Sequence, residues 1–143
     1  METLLKKHAE KLRFLLVGGA NTLLDFGILF TLVALGVDKL FANFISTSIA
    51  FIFSFLLNRS FTFKATDGNA RRQFGLFLVI TMFGLWVIQP MIITAVAIWL
   101  GGSGLNSGLV LLIGKLLATV VTLVWNYVMY ARFVFTKPID PKP

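Results

Sequence analysis

The chain has 143 residues, 57% of them hydrophobic, with a mean hydropathy of +0.88 and fifteen phenylalanines. A soluble domain of that size could not cover so much apolar surface, which excludes an ordinary globular protein. The net charge of +7 would point to nucleic acid in a soluble chain, but here the basic residues flank apolar runs, so membrane topology accounts for them and no nucleic-acid partner is expected. With no cysteine there is no disulfide, Cys-based metal site or thiol nucleophile, and one histidine, His8, gives no basis for metal chemistry or a His-based triad. No cofactor is expected.

Residues 1–13 form a basic N-terminal segment with Lys6, Lys7, Lys11 and Arg13. A transmembrane helix needs about 20 predominantly apolar residues, and the sequence predicts four, together making a transmembrane domain over 14–131. The first, 14–36, carries one charge, Asp25; its apolar run exceeds that of a signal peptide, and no convincing cleavage site follows, so it is read as a retained span. The second, 40–57, is uncharged and leads into a basic loop over 58–73. The third, 74–100, is also uncharged, and Gln89-Pro90 predicts a kink near its middle. The fourth, 109–131, carries Lys115 alone, and a tail over 132–143 ends in TKPIDPKP, read as disordered.

Loop charges set an orientation. Lys6, Lys7, Lys11 and Arg13 precede span one; Arg59, Lys64, Arg71 and Arg72 lie between spans two and three; Arg132, Lys137 and Lys142 follow span four. The 37–39 turn has a single lysine and the 101–108 loop no charge at all. The positive-inside rule therefore places both termini and the 58–73 loop in the cytoplasm.

Two spans with a basic loop, then two spans with a basic tail, predict an internal duplication. A shift of 72 pairs Asn43 with Lys115, Thr47 with Thr119, Ser54 with Asn126, Phe61 with Phe133 and Phe63 with Phe135. Spans one and three align less well, with Asp25 near Gln89 at a shift of 64. Each half has an even number of helices, so the two would share one orientation, a parallel repeat.

Polar residues recur inside the spans. Lys115, Thr119, Thr122 and Asn126 follow i, i+4, i+7, i+11 and share one helical face. Span two carries Asn43, Thr47, Ser54 and Asn58, while Asn21 and Asp25 are one turn apart on span one. Lipid cannot solvate such stripes, so they are expected to face inward. By helical rise, Asp25 lies about 18 Å from Arg13 and Lys115 about 9 Å into span four. An ionised group at a helix centre costs ~2.5–3.5 kcal/mol on insertion scales. Blander readings stand beside this one: Lys115 snorkelling or pairing with Asp25, Asn126 and its neighbours bonding between helices, Arg59 anchoring the interface, and Gly18, Gly19, Gly27 and Gly36 as close-packing positions.

FLLVGGANTLLDF at 14–26, SFLLNRSFTF at 54–63 and GKLLATVVTLVWNYV at 114–128 together resemble the GtrA-like family of small four-span membrane proteins, over about residues 12–136. The chain departs from the family where Tyr130-Ala131-Arg132 replaces a second Asn-Arg before F-x-F. The resemblance implies an all-α integral protein of the cell inner (cytoplasmic) membrane that moves a polyprenyl-phosphate-linked sugar, such as undecaprenyl phosphate-glucose, to the outer leaflet for polysaccharide synthesis. It also implies a membrane glycosyltransferase as partner. The family pattern points to Asp25, Asn58, Arg59, Lys115 and Asn126, with Asn21 added from the stripe on span one. On this reading Arg59 captures the phosphate at the cytoplasmic side, Lys115 receives it further out, and the asparagines bond the head group. Asp25 would tune Lys115 or pair with it in the empty site.

Four helices enclose little space, so a homo-oligomer, most simply a dimer, is expected among membrane lipids. Two rivals stay open. One is a proton-coupled exporter of hydrophobic cations using Asp25, which Lys115 disfavours by repulsion. The other is a non-transporting anchor for a glycosyltransferase. No nucleophile with a base, metal site or phosphate-cradling loop supports an enzyme.

Overall fold

The computed structural model describes residues 2–136, all in helices and short connections; the end of the predicted tail, 137–143, lies outside them. Four helical stretches are long and apolar enough to cross a membrane: His8–Ala34, Phe41–Thr62, Ala70–Leu100 and Ser107–Val134. The chain divides into two compact units that meet in sequence at Gly68 and Asn69.

In the first unit, α1 (Glu2–Ala34) and α2 (Lys39–Leu57) form a helical hairpin. Gly36, with φ 86°, caps α1: its N–H donates to the Val33 carbonyl and that of Val37 to Leu32, a left-handed closure that disfavours any residue with a Cβ. Asp38 then starts α2 by accepting from the Phe41 N–H at 3.3 Å. Phe14 and Val17 of α1 are buried, as are Ala42, Ser46 and Ala50, which lie four residues apart on α2. Such a small-residue stripe lets two helix backbones approach closely where lipid supplies no hydrophobic drive. Gly18, Gly19 and Gly27 differ from expectation: a Cβ at any of them would meet nothing within 4 Å.

In the second unit, α3 (Ala70–Phe83) is capped by Asn69, whose Oδ1 accepts from the Arg71 and Arg72 N–H groups. A π turn, Gly84–Ile88, leads into α4 (Gln89–Leu100), and the Gln89 N–H donates to the Gly84 carbonyl. The break expected at Gln89-Pro90 thus falls just before the dipeptide. Proline lacks an N–H and its ring crowds the carbonyl one turn back, so the disturbance lies upstream of it. Asn106 caps α5 (Ser107–Met129) through Oδ1 and the Gly108 N–H at 2.7 Å. Gly114, Ala118 and Thr122 form the buried stripe of α5. A Cβ on Gly114 would stand 3.3 Å from the Ile93 Cα, so α4 and α5 are in near-backbone contact there.

Two more π turns end the second helix of each unit, Asn58–Thr62 and Tyr130–Val134, closed by Phe63 N–H to Asn58 O and Phe135 N–H to Tyr130 O. They stand 72 residues apart, as do the buried stripes Ala42/Gly114, Ser46/Ala118 and Ala50/Thr122. Phe14 packs on Phe63 at 6.3 Å and 59°, and Phe77 on Phe135 at 6.3 Å and 57°. Phe14 and Phe77 are 63 apart, whereas Asp25 and Gln89 are 64 apart. The second spacing is longer by one residue, and it spans the π turn that follows α3, where α1 runs on as a regular helix.

The outer faces are apolar: Leu23, Phe30, Ile98 and Trp99 are each at least two-thirds exposed. In water such patches would aggregate, whereas lipid solvates them.

Candidate functional site

In the first unit the candidate residues are chiefly acceptors. Asn21 and Asp25 lie one turn apart on α1, each partly buried with a buried Oδ1 that has no hydrogen-bond partner. At the end of α2, Asn58 is 2% exposed; its Nδ2 donates to the Ser54 carbonyl at 2.9 Å and to Ser54 Oγ at 3.3 Å, which leaves Oδ1 unpartnered. One turn on, Thr62 is 1% exposed and its Oγ1 is also unpartnered. Both are buried in the π turn that ends α2. Thr62 escaped the sequence reading, although its i+4 spacing from Asn58 was the available signal.

Arg59 has a structural task. Its Nη2 donates to the carbonyls of Thr66 at 2.5 Å and Gly68 at 3.1 Å, closing the loop that follows α2. That loop turns at Lys64, whose φ of 51° is in the left-handed region. Arg13 from α1 reaches the same end, with Nη1 donating to the Phe61 carbonyl at 3.4 Å and its guanidinium 5.9 Å from the Phe61 ring centre.

In the second unit, Lys115 lies on an exposed part of α5 and its Nζ donates to Gln89 Oε1 at 2.9 Å. Thr119 is exposed too, while Thr122 is buried with Oγ1 donating to the Ala118 carbonyl. The expected polar face is therefore divided. Lys115 and Thr119 flank the seam, and the residues just before them, Gly114 and Ala118, fill it; Asn43 and Thr47 flank Ala42 and Ser46 in the same way. Asn126 is partly buried beside Gly84, whose Cβ would come within 3.3 Å of Asn126 Oδ1, an atom with no hydrogen-bond partner.

Tyr130 opens the π turn of the second unit as Asn58 opens that of the first. It stacks on Phe77 at 4.6 Å and shares a 2.5 Å hydrogen bond with Thr81 Oγ1. The departure from a second Asn-Arg thus replaces an amide by a phenol whose hydroxyl is partnered. Gln89, like Thr62, is not among the site residues expected from the sequence. Its alignment with Asp25 and the kink expected at Gln89-Pro90 were the signals.

Comparison with known proteins bears on the whole chain. The family described as GtrA/DPMS, transmembrane domain, matches residues 13–135. An uncharacterized membrane protein, YngA, of Bacillus subtilis (strain 168) is 32% identical over 140 residues, covering 93% of this chain and 84% of that protein. With four apolar spans and this match, the molecule is a multi-pass membrane protein. The chain belongs to the GtrA/DPMS transmembrane-domain family.

Proposed function

We propose that the protein carries a polyprenyl-phosphate-linked sugar from the cytoplasmic to the outer leaflet of the cell inner membrane, with no bond-making step of its own. A membrane glycosyltransferase would supply this lipid, and the working unit would be a homodimer. The observation that carries the reading is the set of buried, unpartnered acceptors on apolar hairpins: Oδ1 of Asn21, Asp25, Asn58 and Asn126, and Oγ1 of Thr62. Leaving such groups unmet in hydrocarbon costs on the order of several kcal/mol each. Sugar hydroxyls donate and accept and so satisfy all five; a phosphate ester, which only accepts, could take a bond from the Thr62 hydroxyl but meets none of the four Oδ1 atoms.

The phosphate is the task of the cations. Arg59 brings positive charge to the loop end of the first hairpin, on the cytoplasmic side, while holding that loop, and Lys115 offers an ammonium within the apolar span of α5. A lysine binds phosphate as a point charge and lets it go more readily than a bidentate guanidinium. The prenyl tail stays in lipid. Loop charge supports cytoplasmic termini. The matched π turns, small-residue stripes and Phe–Phe pairs support a parallel duplication, with the π turn of span three accounting for the one residue by which the halves differ.

The test is leaflet accessibility of a polyprenyl phosphate-glucose in proteoliposomes, with wild type set against Lys115→Met. Transfer in wild type and its collapse in the variant are expected. Equal signals from protein-free vesicles and both proteins would overturn the reading.

A further inference from the structure

An ammonium within an apolar span needs an acceptor, and the usual solution is a carboxylate that also cancels its charge. The acceptor resolved for Lys115 is different: the amide oxygen of Gln89, 2.9 Å from Nζ. An amide satisfies one N–H of the ammonium and leaves the full unit charge in place. Glutamate would have nearly the same shape and would neutralise the lysine.

The backbone at Gln89 is fixed on both sides. Its N–H closes the π turn on the Gly84 carbonyl, and Pro90 follows in the first turn of α4. One extra residue in a helix rotates everything beyond it by ~100°, and with that rotation in place position 89 meets Lys115 of α5. The same turn is seated closely on α5, since a Cβ on Gly84 would stand 2.9 Å from Thr122 Cγ2. Lys115 is held in register from its own side by Gly114, which packs against Ile93 of α4. A π turn, a proline and two glycine contacts thus fix the backbone on either side of this one side-chain hydrogen bond.

We infer that Gln89 is a positioning residue that keeps Lys115 aimed, without cancelling its charge, for a lipid-borne phosphate ester, which displaces the amide when it binds. This rests on the translocation reading and adds to it the residue that governs the anion site. Neutrality is the essential property of Gln89, because a weak neutral acceptor yields to a phosphate where a carboxylate would compete with it.

The test measures binding of a polyprenyl phosphate, and of the matching polyprenol, to the full chain in phosphatidylcholine nanodiscs. Wild type, Gln89→Glu, Gln89→Met and Lys115→Met are compared, each checked for an unchanged melting temperature. Wild type should prefer the phosphate over the alcohol. That preference should fall about tenfold or more in Gln89→Glu and Lys115→Met, and only ~two- to fourfold in Gln89→Met, which keeps the charge and loses the hold. A merely structural glutamine predicts the opposite order, because a glutamate at this position would still bond Lys115 while a methionine could not. Phosphate preference in wild type that persists in Gln89→Glu overturns this inference and leaves translocation standing. Equal losses in Gln89→Glu and Gln89→Met also overturn it, since lost hold would explain both. No preference in wild type overturns the translocation reading itself. Inorganic phosphate competing as well as the lipid overturns the lipid-borne form.

Discussion

Gly84 lies so close to Thr122 that a β-carbon added to the glycine would stand 2.9 Å from the threonine's Cγ2. Thr122 cannot easily give way, because it is buried and its Oγ1 donates to the Ala118 carbonyl at 2.7 Å. Overpacking of this kind costs ~1–3 kcal/mol. Gly84→Ala is therefore expected to lower the melting temperature of the purified protein by several degrees. Thr122→Ser removes the obstructing methyl and keeps the hydroxyl, so the double variant should recover most of the loss. Thermal unfolding in detergent measures both; losses that simply add would show that the contact is not what limits position 84.

Arg59 gives a second prediction, since the sequence reading assigned it to phosphate and the structure also gives it a loop to hold. Its two bonds to Thr66 and Gly68 run from a single nitrogen, and a charged donor to a backbone carbonyl contributes ~1.5–3 kcal/mol when well shielded and less at a partly exposed site. Arg59→Met should raise amide exchange across residues 64–69 by about threefold to tenfold, and Arg59→Lys, which can reach one carbonyl, by less. Hydrogen exchange in nanodiscs reads this directly. Unchanged exchange in Arg59→Met would leave Arg59 with the phosphate role alone.

Four spans and the family were legible because hydropathy and helical period act over many residues and tolerate local error. The seam between helices was harder to place. Lys115 and Thr119 share the i+4 spacing of Gly114 and Ala118, so periodicity alone could not say which row packs and which flanks it. Packing decides in favour of the smaller pair, because α4 comes within 3.3 Å of where a Cβ on Gly114 would lie. Gln89 was hidden for a related reason. A π turn adds one residue and rotates the rest of the span, and hydropathy does not register that rotation. The kink expected at Gln89-Pro90 and the poorer match of spans one and three, Asp25 with Gln89 at 64, mark the place in the sequence; the pairing of Phe14 with Phe77 at 63 comes from their matched ring contacts.

Asp25 separates a sugar site from a proton-coupled exchange site. Its Oδ1 is buried without a hydrogen-bond partner, one turn from Asn21, whose Oδ1 is in the same state. If these oxygens accept sugar hydroxyls, Asp25→Asn keeps an acceptor of the same shape and should retain discrimination between a polyprenyl phosphate-glucose and the bare polyprenyl phosphate. Asp25→Leu removes the acceptor and should reduce that discrimination by about tenfold, in line with the ~1–3 kcal/mol of an unmet buried hydrogen-bonding group. Binding of the bare phosphate, whose anion meets the cations, should change little in either variant. A carboxylate that must gain and lose a proton fails equally as asparagine or leucine. Loss of function in Asp25→Asn, with a collapsing proton dependence, would therefore favour exchange at Asp25 over hydroxyl recognition.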